Sequence, residues 1–341
     1  MRNTAILKTK TGEYELPIFL PVYQPYSNLV PVDAFITDYG FRGLIMNSFF
    51  LYKNKETKNL LLDGMTVKEY IGFNGLVMTD SGAFQGLKRP LYLSNKKIVS
   101  FQDQIGADII SPLDLITPPG DNYTTALQKV IVTNERILEA KQLTKRSVLA
   151  GVQQGGKFLD LRKKSLEGLL EIGIEYLAIG SLVPFFNKRH DLSFVIKVMK
   201  DVMAAFGDSN IPIHIYGAGD PVELPFLFYL GARIFDSSSY GHYANQGWYM
   251  TRYGAILQHE ADKLEEYDCK CPVCAQPAGR MAVFNDAPEL ARHNLYVIKE
   301  TMDLIKEEHD KGKLEDYLQK VLTVHERWFE SSLLVPTWEV N

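Results

Sequence analysis

Apolar residues along this chain gather into eight short runs: LPIFLPVY (16–23), GLIMNS (43–48), GLVMTD (75–80), ADIISPLD (107–114), SVLAGVQ (147–153), YLAIGS (176–181), PIHIYG (212–217) and ARIFDSS (232–238). Each is rich in β-branched or aromatic residues and lacks clean alternation, which is how strands covered on both faces of a parallel sheet read. Between most of them the spacing turns helical, as in 122–143, 158–172 and 192–206, with Asp191 and Ser193 as candidate caps for the last. Strands alternating with helices eight times over predict an α/β fold of the (β/α)8 barrel type. A doubly wound open sheet is the alternative, but no G-x-G-x-x-G follows a first strand. Nearly every run ends in a polar residue or glycine: Asn47, Asp80, Asp114, Gln153 and Gln154, Gly180 and Ser181, Gly217, Asp236. In a barrel those ends converge on one mouth, where active sites are built.

The length of 341 residues suits a single domain, with the barrel over about 15–250 and a subdomain with closing helices over about 251–341. A hydrophobic fraction of 46% and a charged fraction of 23% are those of an ordinary soluble protein. No apolar run approaches the roughly 20 residues that span a bilayer, and the N-terminus lacks a signal-peptide core, so a cytoplasmic protein with no membrane partner is expected. The net charge of −4 neither demands nor excludes nucleic acid, since a local basic face decides that. Candidates for such a face are Lys88/Arg89, Lys96/Lys97, Arg162/Lys163/Lys164 and Lys188/Arg189, each of which, taken singly, reads first as a solvated surface cluster.

All three cysteines lie in CKCPVC, as Cys269, Cys271 and Cys274, and His293 follows after residues 275–292. Three thiolates and one imidazole make a closed tetrahedral Zn2+ site with no open position for catalysis, so the metal would be structural. His293 sits early in an amphipathic stretch, about 286–310, whose apolar positions are Leu290, Leu295, Val297, Ile298, Met302 and Ile305. The zinc would tie a loop to that closing helix, and the tail beyond it reads as further helix.

Three carboxylates stand at strand ends: Asp80, Asp114 and Asp236. One aspartate after a strand is usually a turn or cap residue. Three at equivalent ends of one barrel point to glycosidic-bond chemistry, in which one carboxylate attacks the anomeric carbon and another handles the proton. Gln153 and Gln154 could offer an amide to a bound base, and Phe84 could either stack on a planar ligand or fill the barrel core. No H-x-H, H-E-x-x-H, P-loop or G-x-S-x-G elbow is present, which argues against a catalytic metal and leaves cofactor redox and serine-hydrolase chemistry without footing.

The segments TDSGAFQ, SPLDLITPPGD, QGGKFLDLR, AIGSLVP, HIYGAGDPVELPFLFYLGARIFDSSSYGHYANQGWYMT, CKCPVC and LARHNLYVIKE, in this order, resemble the tRNA-guanine transglycosylases. The archaeal type, which inserts a 7-deazaguanine precursor of archaeosine, is the nearer match, and the likeness runs from about residue 15 to 310. The resemblance implies a (β/α)8 barrel with a zinc subdomain held by Cys269, Cys271, Cys274 and His293. It implies Asp236 as the nucleophile at C1′ and Asp80 as the general acid/base. Asp114 would accept from the ring N–H and amine of a guanine-like base. Gln154 and backbone groups around Ser181, Leu182 and Val183 would bind its carbonyl, Ser81 would help hold it, and Phe84 would stack on it. The implied partners are tRNA, a free 7-deazaguanine base and a second copy of the chain.

Two departures bear on the polynucleotide. The stretch SSSYGHYANQGWYM has no arginine, and Asn245, Gln246 and Trp248 replace charge usual in archaeal relatives, which should weaken phosphate contacts. The RNA-binding domains that archaeal tRNA enzymes append are not expected here, so a separate RNA- or DNA-binding subunit could supply them. Base exchange in DNA is therefore the second reading, after tRNA. A non-catalytic nucleic-acid-binding subunit and a sugar-cleaving glycoside hydrolase are the remaining ones; the first would be expected to lack one catalytic carboxylate, and the second would not need Asp114 with Gln154.

Overall fold

The computed structural model describes residues 6–87, 92–206, 209–276 and 279–339. Its eight barrel strands fall inside the eight apolar runs: β1 Ile18–Tyr23, β2 Gly43–Asn47, β3 Leu76–Asp80, β4 Ile109–Ile110, β5 Val148–Leu149 with Gly151–Gln153, β6 Leu177–Ile179, β7 Ile213–Ile215 and β8 Ile234–Ser237. All pairings between them are parallel. Closure happens on β5. Val148–Leu149 pairs with β4, Gly151–Gln153 pairs with β6, and at the other side β8 returns to β1 with Asp236 opposite Leu20. The sheet therefore has no open edge, and the doubly wound alternative is excluded.

Both faces of most strands are apolar, which hides the period of two in the sequence. Ile18, Leu20, Ile45, Leu76, Met78, Ile109, Ala150, Val152, Ala178 and Ile234 form an inner core. Their neighbours Phe19, Leu44, Met46, Val77, Ile110, Leu177, Ile179, Ile213, Ile215 and Phe235 face the helices. An antiparallel hairpin, Ile6–Lys8 with Glu13–Glu15, adds Leu7 to the inner core beside Leu16, two residues before β1.

Helices Tyr123–Leu143, Leu159–Ile172 and Ser193–Phe206 occupy the stretches read as helical. Asn122 caps the first by accepting from Thr125 N, and Asp191 accepts from Ser193 N at the start of the third. After β8 come a short helix Ser239–Ala244, the hairpin Tyr249–Thr251/Gly254–Ile256 and the long helix Ala287–Asp310. Helices Leu314–Trp328 and Leu334–Glu339 follow. Among the described residues no helix is long and apolar enough to cross a membrane.

The closing strand leaves no room beside Gly151, where a Cβ would lie 2.5 Å from Ile174 Cγ2 and 3.0 Å from its Cβ. Gly151→Ala should therefore lower stability by about 1–3 kcal/mol, the usual cost of overpacking, measured by denaturant unfolding.

A carboxylate-lined mouth and a cysteine–histidine knot

The ends of the strands deliver polar groups to one side of the barrel. Asp80, the last residue of β3, lies next to Asn47 of β2 in register. Asn47 Nδ2 donates to Asp80 Oδ2 at 3.1 Å and to Gln85 Oε1 at 2.9 Å, while Gly82 N–H donates to Asp80 Oδ1 at 3.2 Å. Burial, with the charges of Asp114 and Asp236 behind it, pushes the Asp80 carboxyl up to about 7 against the Gly82 bond. As a residue Asp80 keeps partial contact with solvent, and a ligand seated over it would remove the rest. Ser81 is fully buried beside it, and its hydroxyl has no hydrogen-bond partner among the described residues.

Asp114 and Gln154 meet in a second wall. Gln154 Nε2 donates to Asp114 Oδ2 at 2.6 Å, and Ser181 Oγ donates to Gln154 Oε1 at 2.5 Å. Burial raises the Asp114 carboxyl to about 6, opposed first by that amide bond and later by Arg136. Gly180 permits the contact, because a Cβ there would sit 2.5 Å from Gln154 Nε2. Gln153, the other candidate amide, is turned away and bonded to Arg162 on both its ends, at 3.2 Å each.

Arg162 corrects its reading as part of a surface cluster. It is fully buried and donates to Gly156 O at 2.7 Å and to Gly180 O and Ser181 O at 3.2 Å each. Its partners are carbonyl oxygens, and burial alone lowers it to about 9. One guanidinium thus ties the loop after β5 to the loop after β6 and holds Ser181 at φ 55°. The rest of the cluster, Lys163 and Lys164, is exposed, as are Lys96/Lys97 and Lys188/Arg189; Lys88 and Arg89 lie outside the described residues.

The third wall carries Asp236 on β8. Gly217 N–H donates to its Oδ1 at 3.2 Å, and His214 Nε2 lies 2.9 Å from the same oxygen. Behind His214, Nδ1 is 2.8 Å from the Tyr176 hydroxyl. Tyr216 bonds to Ser111 Oγ at 2.9 Å, and burial with the charges of Asp114, Asp80 and Asp236 around it lifts its hydroxyl well above the usual range. The three aspartates read from sequence therefore share one electrostatic site. Asn47, read from the sequence as a strand end, belongs to it too, whereas His214, Tyr176 and Tyr216 were not singled out by sequence reasoning. A polar residue in the middle of an apolar strand, as in Ile213–His214–Ile215, was the available signal. Phe84 is exposed at the rim, so the barrel-core alternative for it fails. Val183 is also exposed, whereas the Leu182 side chain is buried.

Away from the mouth, Cys269, Cys271, Cys274 and His293 bring four donor atoms within 4.8 Å of one another, a cluster that could hold a metal ion. His293 Nδ1 is 3.6, 3.4 and 3.5 Å from the three sulfurs in chain order. Its Nε2 bonds the carbonyl of Met250 at 2.8 Å, which puts the ring proton there and leaves the Nδ1 lone pair for a metal. Tyr249 stacks on the imidazole with centroids 3.6 Å apart and reaches Cys274 Sγ at 3.1 Å. Crowded together, the thiols perturb one another: Cys271 is pushed up by Cys269 and Cys274, and Cys274 is driven down to about 3 by Cys269 and Cys271.

The family described as queuine tRNA-ribosyltransferase matches residues 2–327. The chain belongs to that family. It is 32% identical over 326 residues to a tRNA-guanine(15) transglycosylase of Methanosarcina mazei, which covers 94% of this chain and 64% of the relative. A protein of the same description from Pyrococcus abyssi is 33% identical over 313 residues, 90% of this chain and 52% of its own length. One from Haloarcula marismortui is 32% identical over 308 residues, covering 88% and 61%. The chain thus spans between about half and two thirds of these three relatives.

The span matched to the queuine tRNA-ribosyltransferase family takes in all eight barrel strands, the mouth and the cysteine–histidine knot. Trp248, one of the residues standing where archaeal relatives carry charge, lies in the segment after β8. It is half-buried, with Lys188 Nζ 5.3 Å from its ring centre and Tyr243 edge-on, so packing takes at least part of its surface.

The raised carboxyls make stability depend on pH. A folded value near 7 for Asp80 lies above the ordinary unfolded one near 4, so the native state holds a proton that the unfolded chain has lost. Stability should accordingly fall as pH rises from about 4 to about 7, and Asp80→Asn should remove its share of that slope; chemical denaturation at pH 4.5, 6 and 7.5, about those points, measures it.

Proposed function

We propose that the mouth exchanges guanine in tRNA for a free 7-deazaguanine base, as a pentosyltransferase working by double displacement. The observation that carries this reading is the convergence of Asp80, Asp114 and Asp236 at one mouth, with Asp80 raised to about 7. A group poised there can give a proton in one half-reaction and take one in the other at neutral pH. Asp236 attacks C1′ of the target nucleotide. The C1′–N9 bond breaks, its electron pair leaves with guanine, and Asp80 supplies the proton. The incoming base then loses a proton to Asp80 and attacks C1′, and the electron pair of the C1′–O bond returns to Asp236. Two inversions retain configuration, an arrangement that places the two carboxyls about 5 Å apart in retaining enzymes.

Reading of the base falls to the second wall. Asp114 would accept from the ring N–H and exocyclic amine of guanine, and Gln154, now bonded to Asp114, would donate to its carbonyl with backbone groups at Ser181, Leu182 and Val183. Ser81, buried without a partner, supports the same pocket. Phe84 and Val183, exposed at the rim, offer apolar surface to the ring. Buried polar groups of this kind reject a wrong base because it would leave them unpaired. The target nucleotide has to leave its stack to enter, since the carboxyls lie at the strand ends and not on an outer surface.

The names of the archaeal relatives favour tRNA, and position 15, over the DNA reading. A second copy of the chain and a separate nucleic-acid-binding subunit are partners of this proposal by resemblance. For the knot we propose Zn2+, held by Cys269, Cys271, Cys274 and His293. A tetrahedron with Zn–S of about 2.3 Å and Zn–N of about 2.0 Å has S···N edges of about 3.5 Å, as found here between 3.4 and 3.6 Å. The ion would supply folding energy and neutralise the thiolates.

Incubation of the chain with unmodified tRNA and labelled guanine should incorporate label, with single- and double-stranded DNA giving none. Asp236→Asn should lose at least about a thousandfold of the rate, as loss of a nucleophile does. Release of guanine in the first half-reaction should decline as pH rises through about 7, where Asp80 loses its proton. Label entering DNA and not tRNA would move the assignment to DNA, and a fully active Asp236→Asn would end the nucleophile assignment.

Strong chelation, or Cys271→Ser, should lower stability by about 3–5 kcal/mol while purified protein releases one zinc per chain, as read by a colorimetric metal assay and thermal melting.

A further inference from the structure

We infer that His214 is a positioning residue for Asp236: held from behind by Tyr176, its ring fixes carboxylate oxygen Oδ1 so that Oδ2 is the oxygen left to bond the sugar. The inference rests on Asp236 being the nucleophile proposed above. His214 is fully buried on β7, between Ile213 and Ile215, which both face the helices. Nδ1 is 2.8 Å from the Tyr176 hydroxyl, and Nε2 is 2.9 Å from Asp236 Oδ1. No surface function explains an imidazole in this place.

The proton positions follow from the surroundings. Tyr176 is fully buried, and burial, with Tyr216 and Asp236 nearby, holds its hydroxyl well above the ordinary range, so it keeps its proton. Apart from His214, the other contact of that hydroxyl is the Met78 sulfur at 4.0 Å, a weak acceptor. The hydroxyl therefore donates to Nδ1, and the ring proton sits on Nε2, facing the carboxylate. The opposite tautomer would press a lone pair against a carboxylate oxygen at 2.9 Å.

The Nε2–Oδ1 contact is short, yet Nε2 lacks a partner at a hydrogen-bonding angle. A small turn of the carboxylate completes the bond, and such bonds commonly tighten only once substrate is bound. Oδ1 already accepts from Gly217 N–H, whereas Oδ2 accepts from no described residue. One hydrogen bond and one close imidazole N–H at Oδ1, with no described donor at Oδ2, distinguish the oxygens before the reaction begins. When Oδ2 bonds to C1′, Oδ1 becomes the ester carbonyl oxygen. When the incoming base displaces the aspartate, the electron pair of the C1′–Oδ2 bond stays on Oδ2 and carboxylate resonance shares its charge with Oδ1, where the Gly217 N–H and the imidazole N–H receive it.

The test compares His214→Leu, His214→Gln and Tyr176→Phe with the parent and with Asp236→Asn, using the full chain, tRNA and labelled guanine. His214→Leu keeps bulk and removes the donor; His214→Gln returns an amide N–H to the place of Nε2. His214→Leu should lower kcat about tenfold to a hundredfold with KM for both substrates little changed, the scale of a misplaced reacting group. His214→Gln should recover most of that loss, and Tyr176→Phe, which frees only the tautomer, should cost about three- to tenfold. Parent-like kcat in His214→Leu, a loss confined to KM, or a His214→Gln as slow as His214→Leu at parent melting temperature would overturn the inference. Should His214→Leu fail to fold, parent-like kcat in Tyr176→Phe would overturn it and the expected drop would support it. Full turnover by Asp236→Asn removes the nucleophile reading itself, whereas an inactive Asp236→Asn beside an unimpaired His214→Leu removes only the role of His214.

Discussion

Like charges held in a poorly solvated space cannot all be ionised at once, and the mouth of this barrel confines three carboxyl groups under that rule. Asp80 feels both Asp114 and Asp236, and Tyr216 feels all three. The protein resolves the conflict by giving each carboxyl different company. Asp236 has a backbone N–H and an imidazole at one oxygen, Asp114 has the Gln154 amide, and Asp80 has Asn47 and Gly82. Burial with the neighbouring charges takes Asp80 up to about 7, and burial takes Asp114 to about 6. Different surroundings for chemically identical side chains thus arise from barrel closure, which brings the ends of β3, β4 and β8 to one rim.

The cysteine–histidine knot reaches this arrangement through the closing helix. Next to His293, Asn294 accepts from Met250 N at 2.9 Å and donates to Tyr240 O at 3.2 Å and Trp248 O at 3.1 Å. Tyr240 in turn donates to Val22 O at 2.7 Å on β1. A single fully buried asparagine therefore fastens the segment that follows Asp236 to the helix that carries the knot. Removing a buried amide of this kind leaves several backbone groups unpaired at once, so the segment and the knot stand or fall together.

Much of the fold was legible because parallel barrel strands are short apolar runs with turns at fixed ends, and all eight runs became strands. The aspartates were legible for the same reason: a charge at the end of a buried strand has few places to go except the mouth. What stayed hidden was the identity of the inward-facing residues. With Ile213 and Ile215 outside and His214 inside, both faces of β7 are non-charged, and composition cannot say which one holds the ligand. Arg162 was misread because basic neighbours suggested a surface. Its position with Ser165, Leu166 and Leu169 on the buried stripe of Leu159–Ile172 was the overlooked pattern. Tyr249 and Met250 were invisible as supports of the knot, since their link to His293 spans more than forty residues of chain.

Two of the three walls of the mouth differ in how they are built, and the difference matches their proposed tasks. The wall around Asp114 is a chain of neutral donors backed by the buried Arg162, which fixes two loops through carbonyl oxygens and gives the pocket a rigid shape. Rigidity suits recognition, because discrimination depends on groups that cannot shift to rescue a poor partner. The wall around Asp236 instead leaves one oxygen unbonded and one buried imidazole imperfectly aligned. Such slack is unfavourable at rest and becomes favourable only when charge and geometry change during bond formation, which is where binding energy lowers a barrier. The groups proposed for recognition and those proposed for reaction therefore differ in their surroundings while sharing one rim, with Tyr216 in electrostatic reach of both.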